Sequence, residues 1–184
     1  MIERPILAKD FSAIDINGKT FQLSDFKGNK ILLSFYRNGS CVFANLRMHE
    51  LIQEHGKWLA TGLKMIAVFE SSAADIHPYV KKHPFPITIL PDPAAKLYDL
   101  YDVENSPQKI NNIIEKNIAA ERLELATREG FIRSYQANSN LMRMPADFLI
   151  DENFIIQKWH YSNFLIDQLS IQEIFAFAKN GILS

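Results

Sequence analysis

Phe35-Tyr36-Arg37-Asn38-Gly39-Ser40-Cys41-Val42-Phe43-Ala44 decides the fold, because two patterns meet in it and it holds the chain's one cysteine. Before it, Lys30-Ile31-Leu32-Leu33-Ser34-Phe35-Tyr36 is an apolar and aromatic run of strand length. After it, Met48, Leu51, Ile52, His55 and Leu59 recur at helical spacing, and the stripe carried backwards passes through Ala44 and Cys41. Asn38-Gly39 supplies turn chemistry between the two. Cys41 is therefore expected where a buried strand ends and a helix begins. Helix N-termini present unpaired N–H groups and the positive end of the dipole, and both favour an anion. A thiol at such a place ionises more readily and is nucleophilic. The alternative for a lone cysteine is a small, inert core residue. Position alone leaves these two readings level.

Length and composition narrow the field. The 184 residues fit one domain (1–184) with a proper core. With 47% hydrophobic and 22% charged residues the chain reads as an ordinary soluble globular protein. A formal net charge of −1 gives no footprint for nucleic acid or an anionic membrane surface. No apolar run approaches the roughly 18 residues of a membrane span. Met1-Ile2-Glu3-Arg4-Pro5 lacks the basic and apolar regions of a signal peptide. One cysteine rules out a disulfide within the chain and fits a reducing compartment, so the cytoplasm is the expected location.

Outward from Cys41 the chain alternates strand and helix. Phe11 to Ile16 and Thr20 to Leu23 alternate around Asn17-Gly18, the strongest short hairpin signal. Gly62 is a helix stop, followed by a buried strand over Leu63 to Phe69. Ser72 to Asp75 reads as a capping box, and Pro78 predicts a kink or a helix start near itself. A short strand over Phe85 to Leu90 and a short helix over Pro93 to Tyr101 follow. Ser106-Pro107 opens a helix whose face carries Ile110, Ile113, Ile114 and Ile118, and which is expected to run to about Arg128 before Gly130. About 106–142 is read as an insertion. Were those isoleucines exposed, they would point to a homodimer or partner surface. Met144 to Ile156 is strand, turn, strand, and Ile171 to Ala178 is a terminal helix. Such alternation predicts an α/β protein with a mostly parallel centre.

Strand, Tyr36-Arg37-x-Gly39-x-Cys41 and helix together resemble the redox-motif region of the thioredoxin superfamily. The likeness is to its peroxiredoxin-like branch, the alkyl hydroperoxide reductase/thiol-specific antioxidant family (AhpC/TSA). Members commonly read Cys-x-x-Cys, then Asn-Leu-Arg and a Glu-Leu. This chain reads Cys41-Val42-Phe43-Ala44-Asn45-Leu46-Arg47-Met48-His49-Glu50-Leu51, so the first cysteine is kept and the second is Ala44. In typical peroxiredoxins the peroxide-reacting cysteine ends a Thr-x-x-Cys pattern. Counted from Tyr36, that position is Ala44, and Cys41 takes the threonine's place. The Asn-Gly hairpin with Leu23-Ser24-Asp25-Phe26-Lys27-Gly28 is similar to the family, and so is His160-Tyr161. Pro145-Ala146-Asp147-Phe148-Leu149-Ile150-Asp151 resembles the segment that carries a cis-proline facing the cysteine motif. The resemblance implies a thioredoxin-like fold: a central mixed β-sheet flanked by helices, an N-terminal β-hairpin, and a helical insertion before the cis-proline strand. It also implies a cis Met144–Pro145 bond and adjacency of Cys41 and Pro145, with Met144 placed to pair with a substrate's backbone.

Other chemistry is thinly represented. His49 and His55 are six residues apart, off the spacing of a helical metal pair, and no phosphate loop or Gly-x-Ser-x-Gly elbow occurs. No cofactor or metal is implied. Around Cys41, Arg37 and Arg143 are the candidate cations to steady a thiolate and polarise an O–O bond; solvated surface arginines are the alternative. Ser40 would donate to the thiolate or cap the helix. His160 is a proton carrier or, more simply, a structural histidine. Apolar Val42, Phe43 and Ala44 keep the site dry and oppose ionisation. Cys41 is expected in the first turn of its helix and partly accessible. Two functions follow. One is a thiol-dependent oxidoreductase with antioxidant, peroxidase-like activity, its single cysteine oxidised by peroxide and regenerated by glutathione or a thioredoxin-like thiol; exchange with a disulfide substrate is a variant. The other is a redox-inactive thioredoxin-fold binding module that has lost the second cysteine and uses the groove between Cys41 and Pro145.

Overall fold

The aromatic run before Cys41 becomes the middle strand of the main sheet. In the computed structural model, residues 5–80, 87–114, 117–132, 134, 136–137 and 139–181 are described. β1 (Ser12–Ile14) and β2 (Thr20–Gln22) form an antiparallel hairpin. β3 (Ile31–Tyr36), β4 (Lys64–Phe69), β5 (Ile87–Pro91), β6 (Ala146–Ile150) and β7 (Ile156–Tyr161) form a mixed sheet in the order β5-β4-β3-β6-β7. β3 runs parallel to β4 and antiparallel to β6. The helices are α1 (Val42–Gln53), α2 (His55–Thr61), α3 (Ala73–Val80), α4 (Lys96–Leu100), α5 (Pro107–Ile114), α6 (Asn117–Arg128) and α7 (Ile171–Asn180).

Every residue of β3 is buried, because the sheet is covered on both faces. Leu32 and Tyr36 face one apolar cluster with Cys41, Leu51, Trp58 and Phe177. Ile31, Leu33 and Phe35 face the other, with Phe21, Leu90, Tyr98 and Phe148. This period-two division of a continuous apolar run is what a two-sided strand requires. Each large side chain so buried stabilises the fold by about 1.5–3 kcal/mol. The thioredoxin-like arrangement expected from the sequence is thus present: mixed central sheet, flanking helices and N-terminal hairpin.

Several local readings need correction. The hairpin loop has five residues, not two: Asp15 and Lys19 close it through Asp15 N to Lys19 O at 2.8 Å. Asp15 Oδ1 also accepts the N–H groups of Asn17 and Lys19, and Ile16 is drawn into the core. α3 does not start near Pro78 but contains it, and Pro78, lacking an N–H, forgoes the helical bond to Ala74 O. α4 begins at Lys96 rather than Pro93, because the Asp92 carboxylate takes the N–H groups of Lys96 and Leu97. The expected start of β5 at Phe85 lies outside the described residues.

Over the described residues the insertion is helical on either side of 115–116, as α5 and α6, and α6 ends at Arg128. Ile110 is buried, while the side chains of Ile113, Ile114 and Ile118 lie outside the described residues. α6 lies against α1, tied by the Arg122–Glu50 pair (Nη2 to Oε2 2.9 Å) and by buried Ala126. Among the described residues no helix is long and apolar enough to cross a membrane.

α7 starts at a cap that sequence reading passed over. Ser170 Oγ accepts Glu173 N at 3.1 Å, and Glu173 Oε2 accepts Ser170 N at 2.9 Å. Lys158 of β7 donates to Glu173 Oε1 at 2.6 Å. The Lys158 hydrogen bond first, and those from Ser170 next, hold the Glu173 carboxyl at about 2, against an ordinary 4.5. A depressed carboxyl adds stability that is complete above pH 4.5 and lost as pH falls toward 2. Glu173→Gln is therefore expected to flatten the acid limb of the unfolding midpoint between those values. Because the pair is over a third exposed, the difference should stay below about 1 kcal/mol. Denaturant melts at pH 6 and pH 3 check it, and equal losses in both proteins would refute it.

Candidate active site

Where β3 ends, Arg37 to Ser40 turn the chain into α1, and Cys41 is the residue immediately before that helix rather than in its first turn as expected. Its backbone is extended (φ −67°, ψ 113°) and its side chain does not cap the helix. The turn is stapled from inside: Cys41 N donates to Asn38 O at 3.1 Å, and Asn45 N returns to Cys41 O at 3.0 Å. Asn45 Nδ2 reaches Gly39 O at 3.0 Å, and Gly39 N donates to Ser71 Oγ at 2.9 Å. The backbone of α3 packs directly on the turn. A Cβ at Gly39 would stand 2.9 Å from Asp75 O and 3.1 Å from Ile76 Cα. Gly39→Ala must therefore shift main chain, and is expected to cost about 1–3 kcal/mol by overpacking. Urea unfolding measures this; a loss under about 0.5 kcal/mol, the range of a surface change, would show that the contact yields freely.

The sulfur has a cationic neighbour in Arg37. Arg37 Nη2 lies 3.4 Å from Cys41 Sγ, while Nη1 donates to Leu141 O at 3.3 Å. A guanidinium N–H and the start of a twelve-residue helix thus converge on one thiol, both suited to negative charge there. Cys41 is only 4% exposed, where partial access was expected. It belongs to the apolar cluster that also holds Val42, Phe43, Ala44 and Met144. Beside the turn, a narrow apolar cleft runs between α1 and α3, lined by Gly39, Asn45, Met48, Ile76, Tyr79 and Phe131.

The other candidates fall elsewhere. Arg143 is neither solvated nor on the sulfur. Its Nε pairs with Glu70 Oε2 at 2.5 Å, its Nη1 donates to Val103 O, and its guanidinium sits 4.6 Å over the Tyr98 ring. A buried cation needs an anionic partner, and Glu70 at the end of β4 supplies it. Ser40 Oγ donates to Asn38 Oδ1 at 2.9 Å rather than to the thiol or the helix. Met144 N is taken by Glu104 O at 3.0 Å, so it does not offer that donor to a substrate. The Met144–Pro145 bond is trans, not cis. Met144 N to Glu104 O and Ser162 N to Pro145 O hold this stretch extended between its neighbours, as the usual trans form allows. Next to Pro145, Ala146 pairs with Phe35 of β3, and Met144 belongs to the same apolar cluster as Cys41. His160 pairs with Asp167, Nε2 to Oδ1 3.2 Å, a structural tie. Ala44 is buried in the first turn of α1, on the side of the core.

Sequence reading missed the groups that hold the site. A buried polar knot lies under α1: Ser34 Oγ donates to Asp147 Oδ1 at 2.6 Å, Asp147 Oδ2 accepts Leu169 N at 3.0 Å, and Arg47 Nη2 reaches Leu169 O. Burial first, and then the nearby Asp147, push the Tyr36 hydroxyl above its usual range. A lone polar Ser34 inside an apolar strand, opposite Asp147, was the available signal. Among the described residues, no group of three or more His, Cys, Asp or Glu is arranged to hold a metal ion.

Known proteins are similar to this chain in sequence and in fold. Chloroplastic peroxiredoxin Q of Triticum aestivum is 28% identical over 88 residues, 48% of this chain and 41% of its own length. The chain thus spans under half the length of that curated relative. Among solved structures, peroxiredoxin 6 of Arenicola marina superposes with a TM-score of 0.70 at 13% identity, over 97% of this chain and 72% of that one. A yeast mitochondrial 1-Cys peroxiredoxin does so at 0.65 and 12% identity, over 95% and 74%. These likenesses show the fold. The AhpC/TSA family model matches residues 7–159, which take in the hairpin, the Cys41 turn and the strands through Trp159, so the chain belongs to the AhpC/TSA family.

Proposed function

We propose that this chain is a one-cysteine thiol peroxidase in which Cys41 is the nucleophile. The observation that carries the reading is the Arg37 Nη2 to Cys41 Sγ contact at 3.4 Å, immediately before α1. The Cys41 thiolate attacks one oxygen of a peroxide; a new S–O bond forms as the O–O bond breaks. The second oxygen leaves as alkoxide or hydroxide and takes up a proton, and the sulfur becomes a sulfenic acid. Arg37 neutralises charge that moves from sulfur to the leaving oxygen. With Ala44 in the place of a second cysteine, an external thiol condenses with the sulfenic acid and releases water. A second thiol then breaks that mixed disulfide and restores Cys41. Glutathione or a thioredoxin-like protein has the required chemistry, and a reducing compartment such as the cytoplasm holds such thiols reduced. Because Cys41 is 4% exposed, local opening of the turn must precede attack.

A redox-inactive binding module is the competing reading, favoured by that same burial and by Ala44. Intact mass after one equivalent of peroxide separates the two. Gain of one oxygen, trapped at Cys41 by a sulfenic-acid reagent, with turnover only when a thiol is supplied, is the expected result. No oxidation at Cys41 leaves the binding module.

A further inference from the structure

Arg37 meets the sulfur with one Nη, and its other Nη is held by the Leu141 carbonyl. That carbonyl belongs to a stretch tied down on both sides. Asn140 Nδ2 donates to Glu70 Oε1 at 3.0 Å and to Asn105 Oδ1 at 2.7 Å. Asn140 Oδ1 accepts Met142 N at 3.0 Å, so the side chain spans Leu141 itself. Beyond it, Met142 O accepts Ser106 N at 2.9 Å, and Arg143 Nε pairs with Glu70 Oε2. Glu70, at the end of β4, therefore grips one donor on each side of Leu141. The Arg143–Glu70 pair is buried, with side chains 5% and 12% exposed, and the anchor is correspondingly stiff.

A long arginine side chain has many rotamers, and a neutral acceptor on one nitrogen selects among them without cancelling the charge. We propose that Asn140 and Glu70 are positioning residues for the Arg37–Cys41 pair. They fix the Leu141 carbonyl as the acceptor that turns the Arg37 guanidinium, so that Nη2 faces the sulfur. Neither residue touches the reacting atoms. The inference rests on the reading of Cys41 as the nucleophile, and it explains why Arg143 is paired with Glu70: through Glu70 it steadies the same stretch.

The test uses the full chain as wild type, Asn140→Ala, Arg37→Gln and the double variant. Two quantities are read: peroxide consumption, and the rate of Cys41 alkylation by iodoacetamide at about pH 7 relative to about pH 9.5, above the free-thiol value of about 8.5. The ratio cancels differences in access and reports how well the thiolate is held at neutral pH. Asn140→Ala is expected to lower both readouts about tenfold, the scale of one charge-assisted hydrogen bond. The double variant should be no lower than Arg37→Gln, because both act through one guanidinium. A wild-type ratio in Asn140→Ala, or losses that multiply in the double variant, would overturn the proposal. If no protein consumes peroxide but the ratio still falls together in both single variants, the peroxidase reading fails and the positioning role stands. Glu70→Gln is the second variant should Asn140→Ala not fold. Its amide cannot accept from both Asn140 and Arg143, so the ratio should fall there too, and an unchanged ratio counts against the proposal.

Discussion

Cys41→Ser is expected to remove peroxide consumption, by at least about a thousandfold, as loss of an enzyme's only nucleophile does. The chain has no other cysteine to take over, and a serine hydroxyl is scarcely ionised near neutrality. The substitution is nearly isosteric, and Arg37 Nη2 can donate to the new hydroxyl as it does to the sulfur. The fold should therefore survive at a cost of about 1–3 kcal/mol for a hydroxyl in a site only 4% exposed. Stopped consumption in a protein that still unfolds cooperatively is the expected pair of results. Residual turnover above about a tenth of wild type would show that another group reduces peroxide and would remove Cys41 from the mechanism.

The parts legible in sequence were those encoded locally. Lys30 to Tyr36 had no choice but a two-sided strand, and Asn38-Gly39 could only turn, so Cys41 had to precede a helix. Gly62 ends α2 in a left-handed conformation, φ 72°, as a helix stop should. The family resemblance added what local signals lack, namely a mixed central sheet, which the antiparallel pairing of Ala146 to Ile150 with that strand provides. The illegible parts depend on partners distant in sequence. Arg143 looked like a free cation until Glu70, 73 residues away, claimed it. Leu141 acts through a carbonyl, which every residue possesses, so no side-chain pattern could announce it. The trans Met144–Pro145 bond is the instructive error. The resemblance carried an expectation that the hydrogen bonds of Met144 N and Pro145 O, made with Glu104 and Ser162, meet without a cis peptide.

Ala44→Cys should convert the site into one that closes its own disulfide. Cys41 immediately precedes α1 and Ala44 lies three residues on, in the same turn. Helix geometry sets such Cα atoms about 5 Å apart, inside the range a disulfide spans. Both positions are buried, at 4% and 5%, so the added thiol stays out of solvent beside the first. Packing a sulfur against Ala44's neighbours should cost about 1–3 kcal/mol in the reduced state. After one equivalent of peroxide, the variant is expected to lose both free thiols, to resist alkylation, and to regain both on reduction. The wild type, lacking a partner for its sulfenic acid, should show none of this without added thiol. The double change Cys41→Ser with Ala44→Cys then decides between the two registers of the motif. Position 41 has Arg37 at 3.4 Å, while position 44 faces the apolar core, so the lone thiol at 44 should consume peroxide more slowly than wild type. Faster consumption would assign the nucleophile's place to position 44, and Cys41 would then stand where the family's threonine does.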